Sequence, residues 1–345
     1  MSVSFRLFPL LWIVLLLSRI IYFPDAAIHI PEKPKNPLRG RVICIDPGHG
    51  GTAQTDDFRK GPAGEREEWI NLRVALLLTE MLRKKGAKVL LTRRDDSNVP
   101  FDDRISLAVA NKAEVFLSIH HNAMADSLVN FPIVYFHGNA SENGASVKLG
   151  EAVARQINEA LYKRSSPVSL VSDHTIFPAA GAKVLRGTYG IPAVIAEASF
   201  FTNPRAEQRL KNLSYNRREA KAFVKALEEY FSQPSLAIAE KNSMVQIVPF
   251  PVFQEAERMN PEARNWNSDF EEGQKWFKQE DTASIRTAYD LFTRSARSFP
   301  DSYVAGKCHQ YRAKILEKMG KQAEAHQENR RVKEFYPEGL GSNAK

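Results

Sequence analysis

At 345 residues the chain can bury a sizeable core in one large domain or two smaller ones, and its 43% hydrophobic and 26% charged residues exclude wholesale disorder. The formal charge of +8 suits polyanionic surroundings such as nucleic acid, anionic lipid or acidic cell-wall polymer. No block of five or more basic residues occurs, so no nucleic-acid partner is expected.

Residues 1–26 carry Arg6 ahead of an apolar run over 7–17, interrupted by Ser18 and Arg19 and resumed through Phe23. The uninterrupted run is short for a membrane span and suits the apolar region of a secretory signal, cleaved or kept as an N-terminal anchor. The chain is therefore expected to be exported to the periplasm or cell envelope, with membrane contact only through this segment if it is uncleaved. Residues 27–40, with three prolines and no apolar period, read as a linker.

From residue 41 short apolar runs alternate with amphipathic stretches. Residues 42–45 form a strand buried on both faces. A helix follows over 67–85, with Leu72, Ala75, Leu76 and Leu82 at helical spacing and Gly86 as its C-cap. Next come a strand at 88–92, a helix at 102–112, a buried strand at 115–119, a strand at 133–136 and a long helix at 145–162. A strand at 193–196 and a closing helix at 216–231 complete the pattern. This alternation predicts an α/β domain over 41–233, a single largely parallel or mixed sheet flanked by helices in three layers. Residues 234–269 read as a second linker. Residues 270–338 carry only helical periodicity, with prolines 300 and 337 spaced 337 − 300 = 37 apart, resembling tetratricopeptide helix pairs and offering a surface for a protein partner. Cys44 and Cys308 fall in different predicted domains and read as buried thiols rather than a disulfide.

Three buried strands run into unusual residues. The first leads into Asp46-Pro47-Gly48-His49-Gly50-Gly51, the third into His120-His121-Asn122, and the strand at 193–196 into Glu197. Ligands of open α/β sheets bind beyond the carboxyl ends of strands, so these histidines and this carboxylate form a candidate site. Two neutral imidazoles and one carboxylate make a three-ligand zinc set with one open position. A second carboxylate could move protons there.

The segments Ile45-Asp-Pro-Gly-His-Gly-Gly, Glu67-Glu-Trp-Ile-Asn-Leu, Ser118-Ile-His-His-Asn-Ala and Pro192-Ala-Val-Ile-Ala-Glu-Ala-Ser-Phe-Phe-Thr-Asn occur in this order. Thr92-Arg93, Arg104 and Ala110-Asn111 fit the same pattern. Together, over roughly residues 41–231, they resemble the zinc-dependent N-acetylmuramoyl-L-alanine amidases of the type-3 family. The resemblance implies one Zn2+ held by His49, Glu67 and His120, with Glu197 as catalytic base and acid, and peptidoglycan as substrate. Glu65 and Glu68 crowd Glu67, and Glu65 is its rival as ligand. The resemblance also implies that Ser199 replaces a usual glycine, and that the interval from His120 to Glu197 lacks the zinc-blocking helix of some relatives. His121 reads as a substrate-facing or solvent-exposed extra, His174 as a substrate contact or a surface residue and His137 as structural. A zinc peptidase acting on the stem peptide and a non-catalytic wall-binding scaffold are the competing readings.

Overall fold

A computed structural model of the chain describes residues 36–163, 166–239, 247–248, 250–253 and 260–337. The expected targeting segment lies outside the described residues. Among those described, no helix is long and apolar enough to cross a membrane.

Six strands form one mixed sheet. They are β1 (Val42–Pro47), β2 (Lys88–Leu91), β3 (Val115–Asn122), β4 (Ile133–Phe136), β5 (Ser169–Ser172) and β6 (Ala193–Phe200), in the order β2-β1-β3-β6-β4-β5. Strands β1, β2, β3 and β6 run parallel, whereas β4 runs antiparallel to β6 and parallel to β5. The carboxyl ends of β1, β3 and β6 therefore share one edge of the sheet, and those of β4 and β5 lie on the opposite edge. β5 has no counterpart in the sequence reading.

The helices of this region are α1 (Glu67–Lys84), α2 (Phe101–Ala110), α3 (Gly144–Leu161), α4 (Lys183–Gly187), α5 (Pro204–Leu210) and α6 (Leu213–Phe231). Helix α1 opens with Glu67 and Glu68 and closes with Arg83 and Lys84, each charge favourably placed against the helix dipole. Its buried stripe runs through Ile70, Val74, Leu77, Leu78 and Leu82, while Leu76 is exposed. Of the predicted face, Ala75 and Leu82 are buried and Leu72 is half-buried, so only Leu76 departs from it. Asparagine side chains cap three helices: Asn143 accepts from Ser146 N on α3, Asn203 from Ala206 N on α5 and Asn212 from Ser214 N on α6.

Each face of the sheet has its own core. On one face Ile43, Ile45, Leu117, Ile119, Val134, Phe136, Val194 and Ala196 pack against α1, α3 and α6, with Leu38 from the stretch ahead of β1. On the other, Cys44, Phe116, Ile133, Tyr135 and Ala193 meet Leu185 of α4 and a C-terminal set of helices. These are α7 (Trp266–Phe277), α8 (Thr282–Ser298), α9 (Ala305–Lys318) and α10 (Gln322–Phe335), each packed on the next. Their docking is aromatic: Phe299 lies 5.7 Å from Phe131, 6.0 Å from Phe200 and 5.0 Å from Trp266, centroid to centroid. Such edge and tilted pairs add about 0.5–1.5 kcal/mol each beyond area burial. Tyr135 of β4 donates its hydroxyl to Asp301. Both cysteines are buried free thiols, and burial first of all pushes each up to about 12.

Buried charge links α9 to α10, where His309 Nδ1 lies 2.6 Å from Glu328 Oε2 and Arg312 donates to Glu328 Oε1 at 3.2 Å. Burial pushes the His309 imidazole down to about 4, below its ordinary 6.5, against the pull of Glu328. Burial alone would raise Glu328, but His309 and Arg312 outweigh it and hold it at about 2. For both groups the unfolded chain binds protons at higher pH than the native state does. Stability is therefore lost as pH falls from about 6.5 toward 4 through His309, and from about 4.5 toward 2 through Glu328. Urea midpoints of the full chain at pH 7 and pH 4.5 should show a clear loss on acidification that His309→Leu reduces. A loss left unchanged by His309→Leu would remove this pair as its source.

Candidate metal centre

The turn after β1 is clamped before any ligand is considered. Arg104 donates from Nη1 to Asp46 Oδ1 at 2.7 Å and to Pro47 O at 2.9 Å, and from Nη2 to His49 O at 2.7 Å. Arg93 donates to Pro47 O and Gly48 O, both at 2.9 Å, and to Glu68 O at 2.7 Å. Asp46 also accepts from Thr92 Oγ1 at 2.6 Å and Ser118 Oγ at 2.7 Å. Burial alone would raise the Asp46 carboxyl, but Arg104 and these hydroxyls outweigh it and keep it below the usual range. Arg104 thus forms a buried ion pair with Asp46.

Held this way, His49 adopts a left-handed backbone with φ 58°, a conformation few non-glycine residues take. The glycine before it has a different reason. A Cβ at Gly48 would fall on the imidazole of His120, so only glycine lets the turn pass beneath that ring.

His49, Glu67 and His120 converge, each offering a ligand atom within 4.8 Å of the others. Glu67 stands between the rings, with Oε2 at 3.2 Å from His49 Nε2 and Oε1 at 3.0 Å from His120 Nδ1. The two imidazoles meet edge to face at 4.7 Å. Tetrahedral zinc at its usual bond lengths sets ligand atoms about 3.4 Å apart, so this donor set fits the ion with small adjustments. Side-chain exposure is 5% for Glu67 and 14% for His120 but 24% for His49, which leaves one side open to substrate. Burial pushes the His120 imidazole below its ordinary value despite Glu67, favouring the neutral form that binds metals. Burial would raise Glu67, but His49 and His120 outweigh it and hold the carboxyl well below the usual range.

Glu67 opens α1, and its acidic neighbours on either side take other partners. Glu65 pairs with Arg73 at 3.0 Å and Glu68 with Arg66 at 2.6 Å, so both turn away from the histidines. Glu197 pairs in register with His120 in the parallel β3–β6 ladder, and paired residues share a sheet face. It is half-buried and is not one of the three converging groups.

Two histidine expectations are corrected. His121 is neither substrate-facing nor exposed: it is 1% exposed, with Nδ1 at 2.8 Å from Asn71 Oδ1 and Nε2 at 3.3 Å from Glu219 Oε2. Successive strand side chains point to opposite faces, so the residue after His120 must enter the α1–α6 layer. His174 is buried as well, beneath α10. The sequence reading also missed Asn71, which donates to Glu67 Oε1 at 3.2 Å and Gly48 O at 3.3 Å, tying ligand to turn. Its place four residues after Glu67, one helical turn on, was the available signal. Ser199 is accommodated through its hydroxyl, which donates to Asn130 Oδ1 at 2.8 Å.

A model of the family described as N-acetylmuramoyl-L-alanine amidase matches residues 43–229, more than half of the chain. The chain is similar to a protein of Staphylococcus epidermidis described as probable cell wall amidase LytH, 32% identical over 197 residues, covering 57% of this chain and 60% of that one. It is 29% identical over 198 residues to the uncharacterized protein YqiI of Bacillus subtilis, covering 57% and 88% of the two chains. Among solved structures it is similar to the N-acetylmuramoyl-L-alanine amidase from Clostridium difficile 630, with a TM-score of 0.48, 27% identity and coverage of 56% of this chain and 97% of that one. The match spans only about 60% of the LytH relative's length. The chain belongs to the N-acetylmuramoyl-L-alanine amidase family.

Proposed function

We propose that the chain is an exported, zinc-dependent hydrolase of the amide bond between the lactyl group of N-acetylmuramic acid and the L-alanine of the peptidoglycan stem peptide. The observation that carries this reading is the convergence of His49, Glu67 and His120 at the sheet edge where Glu197 stands in register with His120. A zinc ion bound there would polarise the substrate carbonyl and lower the pKa of water. His49, Glu67 and His120 are the residues that would hold it, oriented by Asn71, Arg93 and Arg104.

Glu197 carries the proton chemistry. Its carboxylate accepts a proton from the attacking water as the water oxygen bonds to the lactyl carbonyl carbon. It then delivers that proton to the alanine nitrogen as the carbon–nitrogen bond breaks, leaving a lactyl carboxylate and a free L-alanine amino terminus. The C-terminal helices are proposed as a surface for a protein partner and the N-terminal segment as the export signal.

Digestion of purified peptidoglycan by the full chain tests the reading. Mass spectrometry of the products should find lactyl-terminated glycans and intact stem peptides beginning with L-alanine, and a chelator should abolish both. Cleavage within the stem would replace this reading with a zinc peptidase. No cleavage by zinc-loaded protein would replace it with a wall-binding scaffold.

A further inference from the structure

A second cluster lies on the opposite edge of the sheet. His137 directly follows β4, and Asp173 and His174 directly follow β5, so the antiparallel turn of the topology carries them away from His49, Glu67 and His120. Their ligand atoms lie within 4.8 Å of one another and all three residues are buried. We propose that His137, Asp173 and His174 bind a divalent transition-metal ion of the zinc class as a structural site.

Two imidazoles and a carboxylate are a zinc-type donor set, and backbone groups orient Asp173 and His174. Asp173 Oδ2 accepts from Ala182 N at 2.7 Å and Oδ1 from Gly138 N at 3.3 Å. His174 Nδ1 lies 3.2 Å from Pro178 O, which can only accept, so Nδ1 carries the proton and Nε2 turns toward Asp173 Oδ1, 4.0 Å away. A ligating imidazole whose other nitrogen donates to a carbonyl or carboxylate is a recurrent arrangement of metal sites. His137 turns Nδ1 to the same carboxylate, 2.7 Å from Asp173 Oδ2, and is only 1% exposed, so an ion between them would take Nδ1 and an Asp173 oxygen as ligands.

The loop closes over the cluster through Gly181, whose φ is 67° and where a Cβ would fall 2.5 Å from Asp173 Oδ2 and from His137 Nδ1. The last turn of α10 covers the other side. Phe335 stacks on His174 at 5.9 Å, and Ala140 N donates to Glu334 O at 2.9 Å. An ion here would fasten the ends of β4 and β5 beneath the C-terminal helices, at a distance from the hydrolytic edge.

The test uses the full chain carrying His49→Ala and His120→Ala, which removes the first site. After zinc loading and removal of free metal, elemental analysis should find about one zinc per chain, and adding Asp173→Asn and His174→Gln should remove it. Cobalt loading of the first variant should give visible ligand-field bands, and zinc should raise its Tm. Should it bind neither metal while keeping a native circular-dichroism spectrum and a cooperative thermal transition, the second site is overturned, whatever becomes of the amidase reading. Wild-type protein should hold about two ions. One ion lost with His49 and His120 would overturn this proposal alone. One ion kept without them would support it and remove the metal from the proposed hydrolytic site.

Discussion

Glu197→Gln is expected to lower the turnover of peptidoglycan roughly 100- to 10,000-fold, the usual contribution of a positioned acid and base, while zinc content stays that of the wild type. The amide keeps the size and shape of the carboxylate but cannot take up the water's proton at neutral pH. The position tolerates the change structurally, because Glu197 is half-buried and lies within a strand held on both sides by β3 and β4. Since Glu197 is not one of the three converging groups, metal content separates its role from theirs. The measurement is initial rate on soluble muropeptide, with zinc determined on the same sample. A rate within a few-fold of the wild type would rule out Glu197 as the proton carrier, and a loss of zinc would make it a ligand instead.

The parts of the fold legible in the sequence are those whose burial is written into continuous apolar runs. β1, β3 and β6 are central strands covered on both faces, and they place His49, His120 and Glu197 on one edge because all three run parallel. β5 is only four residues long and begins and ends with serine, so no run marks it; it is buried because α3 and α10 cover it. The polar burial of His121 and His174 was equally hidden, since its cause is a partner distant in sequence: Glu219 for the first, Phe335 for the second. The aromatic docking of Phe299 on Phe131 and Phe200 joins residues far apart in the chain, and nothing in the periodicity of 270–338 identifies the sheet as the surface they cover.

The choice among Glu65, Glu67 and Glu68 is where structure adds most, and it yields the second large effect. Removing the Glu67 carboxylate, as in Glu67→Ala, should weaken zinc binding at this site by at least 100-fold, the upper end of what losing an outer-shell partner costs, and should abolish turnover with it. Glu65→Gln should leave zinc affinity nearly intact, because its carboxylate serves Arg73 rather than the histidines. Glu68 is fully buried against Arg66, so its loss should appear as lost stability, about 3–5 kcal/mol for a broken buried pair, ahead of any loss of metal. Competition with a zinc-binding dye gives the affinities, and urea unfolding of the metal-free proteins gives the stabilities. If Glu65→Gln releases the metal and Glu67→Ala retains it, the ligand set proposed here is wrong by two residues. The contrast has a firm physical basis: Glu68 follows Glu67 on α1 and is turned about 100° from it, while Glu65 lies ahead of the helix and is held by Arg73.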